Sequence, residues 1–241
     1  SRSIAQAADS AAEAKKVRDE INRWRLEIGN SKLVKATPTF NLQHPTSYSQ
    51  LANDLIDSQC VRFGDFKLKS GVLSPIYLDL RRLVSHPAIL QRVAQAYAEK
   101  LRELNFDRLA GIPYAALPIA TAIALEMNRP LIYPRREVKD YGTQAVVEGD
   151  YLAGETIAVI DDLATTGDSK IEAIEKLESV GLIVKDIIVL IDRGQGAGKM
   201  LAEAGYQLHA VVTLPDLLDE WLRSGAISQV QLDQVIVFLT C

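Results

Sequence analysis

Thr156-Ile-Ala-Val-Ile-Asp161-Asp-Leu-Ala-Thr165-Thr-Gly-Asp-Ser169 decides how this 241-residue chain reads. Ile157 to Ile160 is an apolar, partly β-branched run of the kind found in a strand buried on both faces. Two carboxylates, Asp161 and Asp162, follow where that strand is expected to end. Leu163 and Ala164 lead to Thr165, Thr166 and Gly167, with Asp168 or Ser169 placed to cap a helix. Ile171, Ile174, Leu177 and Val180 mark that helix, and Gly181 stops it.

A strand–loop–helix junction of this composition has a definite chemistry. Amide groups at a helix start lack intrahelical partners, and the helix dipole favours an anion there. Gly167 lets the backbone close around a phosphate monoester, which carries about −1.5 to −2 charges. The aspartates would repel that phosphate but suit the vicinal hydroxyls of an attached sugar. The two halves together read as a cradle for ribose 5-phosphate. A bland strand end with solvated acids is the competing reading, and the full order acid-acid-x-x-Thr-Thr-Gly-Asp-Ser weighs against it.

Outward from this stretch, strands and helices alternate. Strands are expected near Arg108–Ile112, Pro130–Tyr133, Thr156–Ile160, Val184–Ile191 and Gln207–Thr213. Helices are expected near Leu117–Met127, Ser169–Val180, Lys199–Ala204 and Pro215–Arg223, with a last one from Ser228. This alternation implies an α/β fold with a doubly wound, mainly parallel sheet, and ligand sites at the carboxyl ends of its strands. Upstream, Tyr48 opens a short helix that leads to Phe63–Leu68 and to a strand over Pro75–Leu80. Pro87 starts a helix whose core positions are Ile89, Leu90, Val93, Tyr97, Leu101 and Leu104.

Composition bounds the rest. The chain is 48% hydrophobic and 24% charged, with a net charge of −4, which argues against a general nucleic-acid or membrane-surface binder. Its two cysteines, Cys60 and Cys241, give neither a disulfide framework nor metal-ligand spacing, in keeping with a reducing cytoplasm. His44, His86 and His209 are scattered. Gly194 to Lys199 imitates a phosphate-binding loop but has Met200 where a hydroxyl residue is required. Tyr133 to Asp150 has no helical period and holds Arg135, Arg136 and Lys139. A loop this long is read as a functional lid. An arm of about seven residues at ~3.3 Å each would reach ~20 Å, enough to cover its own site or a neighbour's.

The central stretch resembles the phosphoribosyl pyrophosphate (PRPP) motif of type I phosphoribosyltransferases. Three more segments narrow the resemblance to the orotate phosphoribosyltransferases. Phe66 to Asp79 (Phe-Lys-Leu-Lys-Ser-Gly-x-x-Ser-Pro-Ile-Tyr-Leu-Asp) looks like their orotate-binding segment. Gly111-Ile-Pro-Tyr114-Ala-Ala-Leu-Pro118 looks like their pyrophosphate loop. Asp192-Arg193 matches their orotate-binding arginine. The family implies a five-stranded, mainly parallel sheet flanked by helices, an N-terminal hood and a flexible lid.

The same resemblance implies the roles of single residues. PRPP would be held by Lys69, Tyr114, Arg135, Arg136, Lys139 and the run Asp161, Asp162, Leu163, Ala164, Thr165, Thr166, Gly167, Asp168 and Ser169. Orotate would meet Lys69, Tyr77, Leu78, Thr165 and Arg193. Catalysis would fall to Lys139 and Asp162, with Mg2+ carried by PRPP rather than held by the protein. A homodimer sharing its lid across the interface is implied, as is a place in UMP biosynthesis in the cytoplasm. Chemistry separately asks for Lys69 and Arg193, because orotate is a carboxylate that a guanidinium can grip with two bonds. Transfer to another base, or PRPP binding without catalysis, is the rival reading.

Two positions depart from the bacterial pattern. Ala115 stands where a lysine often follows the loop tyrosine, and Tyr141 stands where the lid often has histidine. A proton-transfer role for that histidine is therefore not carried over, since a phenol near pKa ~10 is a poor base. Both departures are shared with the form found in bifunctional UMP synthases.

The N-terminus points the same way. Ser1-Arg2-Ser-Ile-Ala-Gln-Ala-Ala-Asp9 resembles the end of an orotidine 5′-phosphate decarboxylase barrel. Ser10 to Ile28 reads as one helix with a Ser10/Glu13 capping box and a stripe of Val17, Ile21, Trp24 and Ile28. The resemblance implies that residues 1–36 are a remnant of an upstream decarboxylase and residues 37–241 the transferase domain; a generic amphipathic helix supporting the main domain is the competing reading of the first segment.

Overall fold

The computed structural model describes residues 47–67, 71–137 and 145–240. They belong to the unit that begins at Pro45. The expected helix over Ser10–Ile28, the segment 1–36 expected to be a decarboxylase remnant, Lys69, Lys139 and Tyr141 lie outside the described residues.

Helix α1 (Tyr48–Asp57) leads into a two-stranded antiparallel hairpin, β1 (Val61–Lys67) and β2 (Leu73–Leu78). A 3-10 turn (Leu80–Ser85) follows, then α2 (Pro87–Leu101), β3 (Arg108–Gly111), α3 (Ala116–Met127), β4 (Leu131–Pro134) and β5 (Val147–Glu148). The second half runs β6 (Thr156–Ala164), α4 (Asp168–Glu178), β7 (Ile183–Asp192), α5 (Ala197–Glu203), β8 (Gln207–Thr213), α6 (Leu214–Arg223) and α7 (Gln229–Thr240).

The main sheet has the order β5-β4-β3-β6-β7-β8. The five expected strands are all present and parallel; β5 is an addition, pairing antiparallel to β4 through Tyr133–Glu148 and Pro134–Val147. Two residues are too few to show an alternation, so β5 left no periodic trace in the sequence.

Strand β6 is apolar from Ile157 to Ile160 because both faces of that stretch are covered. Ala158 and Ile160 join a core with Val93 and Tyr97 of α2, Ile119 and Ile123 of α3, and Leu217 and Trp221 of α6. Ile157 and Val159 face the other way, into Ile174 and Leu177 of α4 and Leu201 of α5. Each such buried Ile or Val stabilises the fold by roughly 1.5–3 kcal/mol. Trp221 is fully buried, meets Phe63 of the hairpin edge-on at 5.6 Å, and donates its indole N–H to the Ala52 carbonyl at 2.9 Å. Asp54 of α1 and Arg92 of α2 form a two-bonded fork at 2.6 and 2.7 Å. These contacts fasten α1 and the hairpin to the sheet domain.

Two features position the site. After β3 the chain turns outward to β4, while β6 is added on the other side of β3. The ends of β3 and β6 therefore part, leaving the crevice in which ligands of open parallel sheets bind. At the opposite end, Arg108 and Glu155 join the starts of β3 and β6 by a fork at 2.5 and 2.8 Å.

Candidate active site

Strand β6 outruns its neighbour. Gly111, the last residue of β3, is in register with Ile160, yet β6 continues through Ala164, paired with β7 only. Asp161 and Asp162 thus lie within the strand and not beyond its end. The following helix also starts differently from the sequence reading. Its cap is Gly167, at φ +99°, and Asp168 is the first helical residue. Thr166 donates its hydroxyl to the Asp168 carboxylate at 2.7 Å, stiffening the turn. The loop between strand and helix is only Thr165, Thr166 and Gly167, with Thr166, Asp168 and Ser169 exposed at its rim.

The twin acids are not equivalent. Asp161 is buried, and its Oδ2 accepts a bond at 2.7 Å from the Nζ of Lys170, itself only 2% exposed. The same ammonium reaches the Leu163 carbonyl at 2.8 Å. From the opposite face of the sheet, the Tyr97 hydroxyl donates to the Asp161 carbonyl at 2.6 Å. Asp162 is partly open, and its carboxyl is pushed up to about 7. Burial is the main cause and the neighbouring Asp161 the next; Lys170 acts in the opposite direction. Sequence reasoning missed Lys170, although it precedes Ile174 by four and Leu177 by seven residues, on their face of α4.

The crevice wall opposite β6 is the turn after β3. Gly111 permits a close approach of α3, since a Cβ there would lie 2.9 Å from that of Ala120. The Ile112 amide bonds the Ile160 carbonyl at 3.0 Å, and Tyr114 projects outward, 63% exposed, after a cis bond from Pro113. Arg136 lies over the Tyr114 ring, 5.5 Å from its centroid. Lys176 of α4 donates to the Arg136 carbonyl at 3.1 Å. Arg135 is paired with Glu148 of β5. A cavity of about 270 Å3 opens among Ile112, Pro113, Arg135, Arg136, Ser169 and Lys176. The structure thus brings Arg135, Arg136 and Ser169 to one cavity, with Tyr114 at its edge, while the third lid cation, Lys139, is outside the described residues.

The candidate base-binding residues lie on two elements. Arg193 follows β7, and its amide bonds the Ala164 carbonyl at 3.0 Å, so it adjoins the start of the Thr165 loop. Its Nε is buried and has no hydrogen-bond partner, and burial lowers its affinity for protons. Tyr77 and Leu78 sit on β2. Leu78 packs against the same core as Leu163, while the Tyr77 ring contacts Phe66 at 5.3 Å and lies under the guanidinium of Arg62 at 5.1 Å. Arg62 also has a buried Nε without a partner. It was not read from the sequence, where a lone arginine in a strand carries no pattern. Among the described residues no three His, Cys, Asp or Glu side chains group to hold a metal, and no helix is long and apolar enough to cross a membrane.

Comparison with known proteins fits this geometry. The phosphoribosyl transferase domain model matches residues 79–204. The orotate phosphoribosyltransferase of Caenorhabditis elegans is 37% identical over 81% of this chain and 87% of its own. This chain belongs to the orotate phosphoribosyltransferases. It is 42% identical to a bifunctional PyrF/PyrE enzyme of Nostoc sp. over 78% of its length, but spans only 39% of that enzyme. Among solved structures, the UMP synthase of Leishmania donovani matches at TM-score 0.74 and 55% identity, over 80% of this chain and 42% of that one. A Mycobacterium tuberculosis orotate phosphoribosyltransferase solved in complex with PRPP matches at TM-score 0.60 and 26% identity, over 70% and 97%. As an orotate phosphoribosyltransferase, the chain has its matched region centred on the crevice between β3 and β6.

Proposed function

We propose that the chain transfers the phosphoribosyl group of PRPP to orotate, giving orotidine 5′-monophosphate and pyrophosphate. One observation carries this reading. Arg193, half-buried with a buried and unused Nε, is hydrogen-bonded through its backbone to Ala164, the residue that opens the Thr165–Ser169 loop. A carboxylate-seeking group thus adjoins a phosphate-seeking one, which suits orotate beside a ribose 5-phosphate.

In this reading the start of α4 holds the 5′-phosphate and Asp162 accepts the ribose hydroxyls. Arg193 orients the orotate carboxylate, with Lys69, Tyr77, Leu78 and Thr165 completing the base site. The N1–C1′ bond forms, the C1′–oxygen bond to diphosphate breaks, and the proton of N1 is released. Positive charge builds on the ribose ring as the bond breaks, so catalysis is chiefly positioning and charge stabilisation. Arg136 and Lys139 neutralise the departing diphosphate, with Tyr114 beside it. Mg2+ would arrive on the diphosphate and offset its charge. That fits a chain whose one buried acid at the loop, Asp161, is already paired with Lys170.

The test is pyrophosphate release from PRPP on adding orotate, with uracil and hypoxanthine as competitors. Release with orotate alone supports the assignment; none with orotate overturns it. Lys139→Ala should collapse turnover while sparing the fold. We also propose that the active unit is a cytoplasmic homodimer whose lid reaches the partner's site, and that residues 1–36 derive from an upstream decarboxylase. Sedimentation of the protein and the mass of the native polypeptide test these two points.

A further inference from the structure

Asp161 and Lys170 stand at the two ends of the Thr165–Gly167 loop, one in β6 and the other in the first turn of α4. Their side chains meet beneath the loop at 2.7 Å, with 9% and 2% of their surfaces exposed. A pair so desolvated is held tightly only if its remaining valences are filled. Here the Lys170 ammonium also bonds the Leu163 carbonyl, while Tyr97 holds the backbone of Asp161 and not its carboxylate. Asp161 is thereby committed to the protein, whereas Asp162 keeps an open edge.

We propose that Lys170 is a positioning residue for the phosphoribosyl site: it fixes Asp161 as a structural anchor and leaves Asp162 as the carboxylate presented to the ribose hydroxyls. The inference rests on the functional reading above and divides roles that the sequence motif assigns jointly. Among the described residues, few groups face the acid pair. Lys170 approaches from α4, and Tyr97 approaches from α2 with its phenol held neutral by burial. The register partner of Asp161 on β7, Val189, is apolar. Lys170 is thus the cation that favours ionisation of Asp162. Removing it raises the pH at which that carboxylate becomes available.

The experiment compares pH profiles of kcat/KM for PRPP in wild type, Lys170→Met, Lys170→Arg and the double variant Asp161→Asn/Lys170→Met. In Lys170→Met the acid limb should move up by about one pH unit, a roughly tenfold loss below the limb that recovers at high pH. Lys170→Arg should keep the limb near its wild-type position. The double variant, which buries no unpaired charge, should have its limb below that of Lys170→Met, and decides the matter if the single variant fails to fold. A uniform loss of activity without a moved limb overturns the proposal, as does an unchanged profile. Wild-type pyrophosphate release is the separate control for function itself. Were it absent, the same pH comparison read from PRPP binding by calorimetry would still decide the role of Lys170.

Discussion

Tyr97 and Asp161 are tied across the thickness of the sheet: a fully buried hydroxyl from α2 donates to a strand carbonyl at 2.6 Å, one residue before Asp162. Tyr97→Phe would remove a fully buried hydrogen bond from the end of β6. A loss of about 1–2 kcal/mol in urea unfolding is expected. Activity should fall less than about tenfold, because the ring still packs and only the strand end loosens.

Asp162 should set the acid limb of turnover. With its carboxyl pushed up to about 7 by burial and by Asp161, kcat/KM for PRPP should rise as pH increases through neutrality. Asp162→Asn should lower turnover by about 100-fold or more and remove that limb. Stability follows from the same shift. Between about pH 4 and 7 the folded protein holds a proton that the unfolded chain has released, so this group's contribution declines as pH rises. The melting temperature of Asp162→Asn relative to wild type should therefore be higher at pH 8 than at pH 5, by a few degrees.

Arg193→Lys keeps the charge but loses the planar fork. The KM for orotate should rise roughly 10- to 100-fold, with that for PRPP changed less than about threefold. Equal effects on both would show that Arg193 serves the loop rather than the base.

Gly167 holds φ +99°, and a Cβ there would collide with the Met200 side chain. Gly167→Ala should cost about 1–2 kcal/mol of stability and weaken PRPP binding. Gly167→Ala/Met200→Ala relieves the collision but not the backbone conformation. PRPP affinity should therefore stay impaired in titration calorimetry.

Arg92→Leu should destabilise by about 2–3 kcal/mol, because the buried Asp54 side chain would lose its two-bonded partner and keep, among the described residues, only Gln50. Chemical denaturation with a matched Asp54→Leu/Arg92→Leu variant, expected to be milder, checks this.

The backbone of the site was legible because β6 and α4 carry apolar patterns that only a covered parallel strand and its crossover helix produce. The strand's true end was not. Two adjacent carboxylates look like the start of solvent, yet the strand runs on through its pairing with β7, and Asp161 is buried against a lysine nine residues later. The helix stripe was read from Ile171, Ile174, Leu177 and Val180. Ile174 and Leu177 are buried and Ile171 and Val180 pack against the same core, while Lys170 and Ala173, outside that stripe, are buried as well. The cap was assigned to Asp168 or Ser169 by side-chain preference. Gly167 took it because the tight turn demands a left-handed residue. That the Nε atoms of Arg62 and Arg193 are buried without a hydrogen-bond partner was beyond sequence, though the Asp192-Arg193 motif marked the second residue.

The fork between Arg108 and Glu155 lies at the rim of the sheet farthest from the crevice. Cohesion of the two central strands is therefore secured at one pole and reactivity concentrated at the other. Engineers seeking a place for a fluorescent label or an immobilising handle should look to the first pole, beside the exposed Leu152–Gly154 corner, where rigidity is already provided and turnover has no stake.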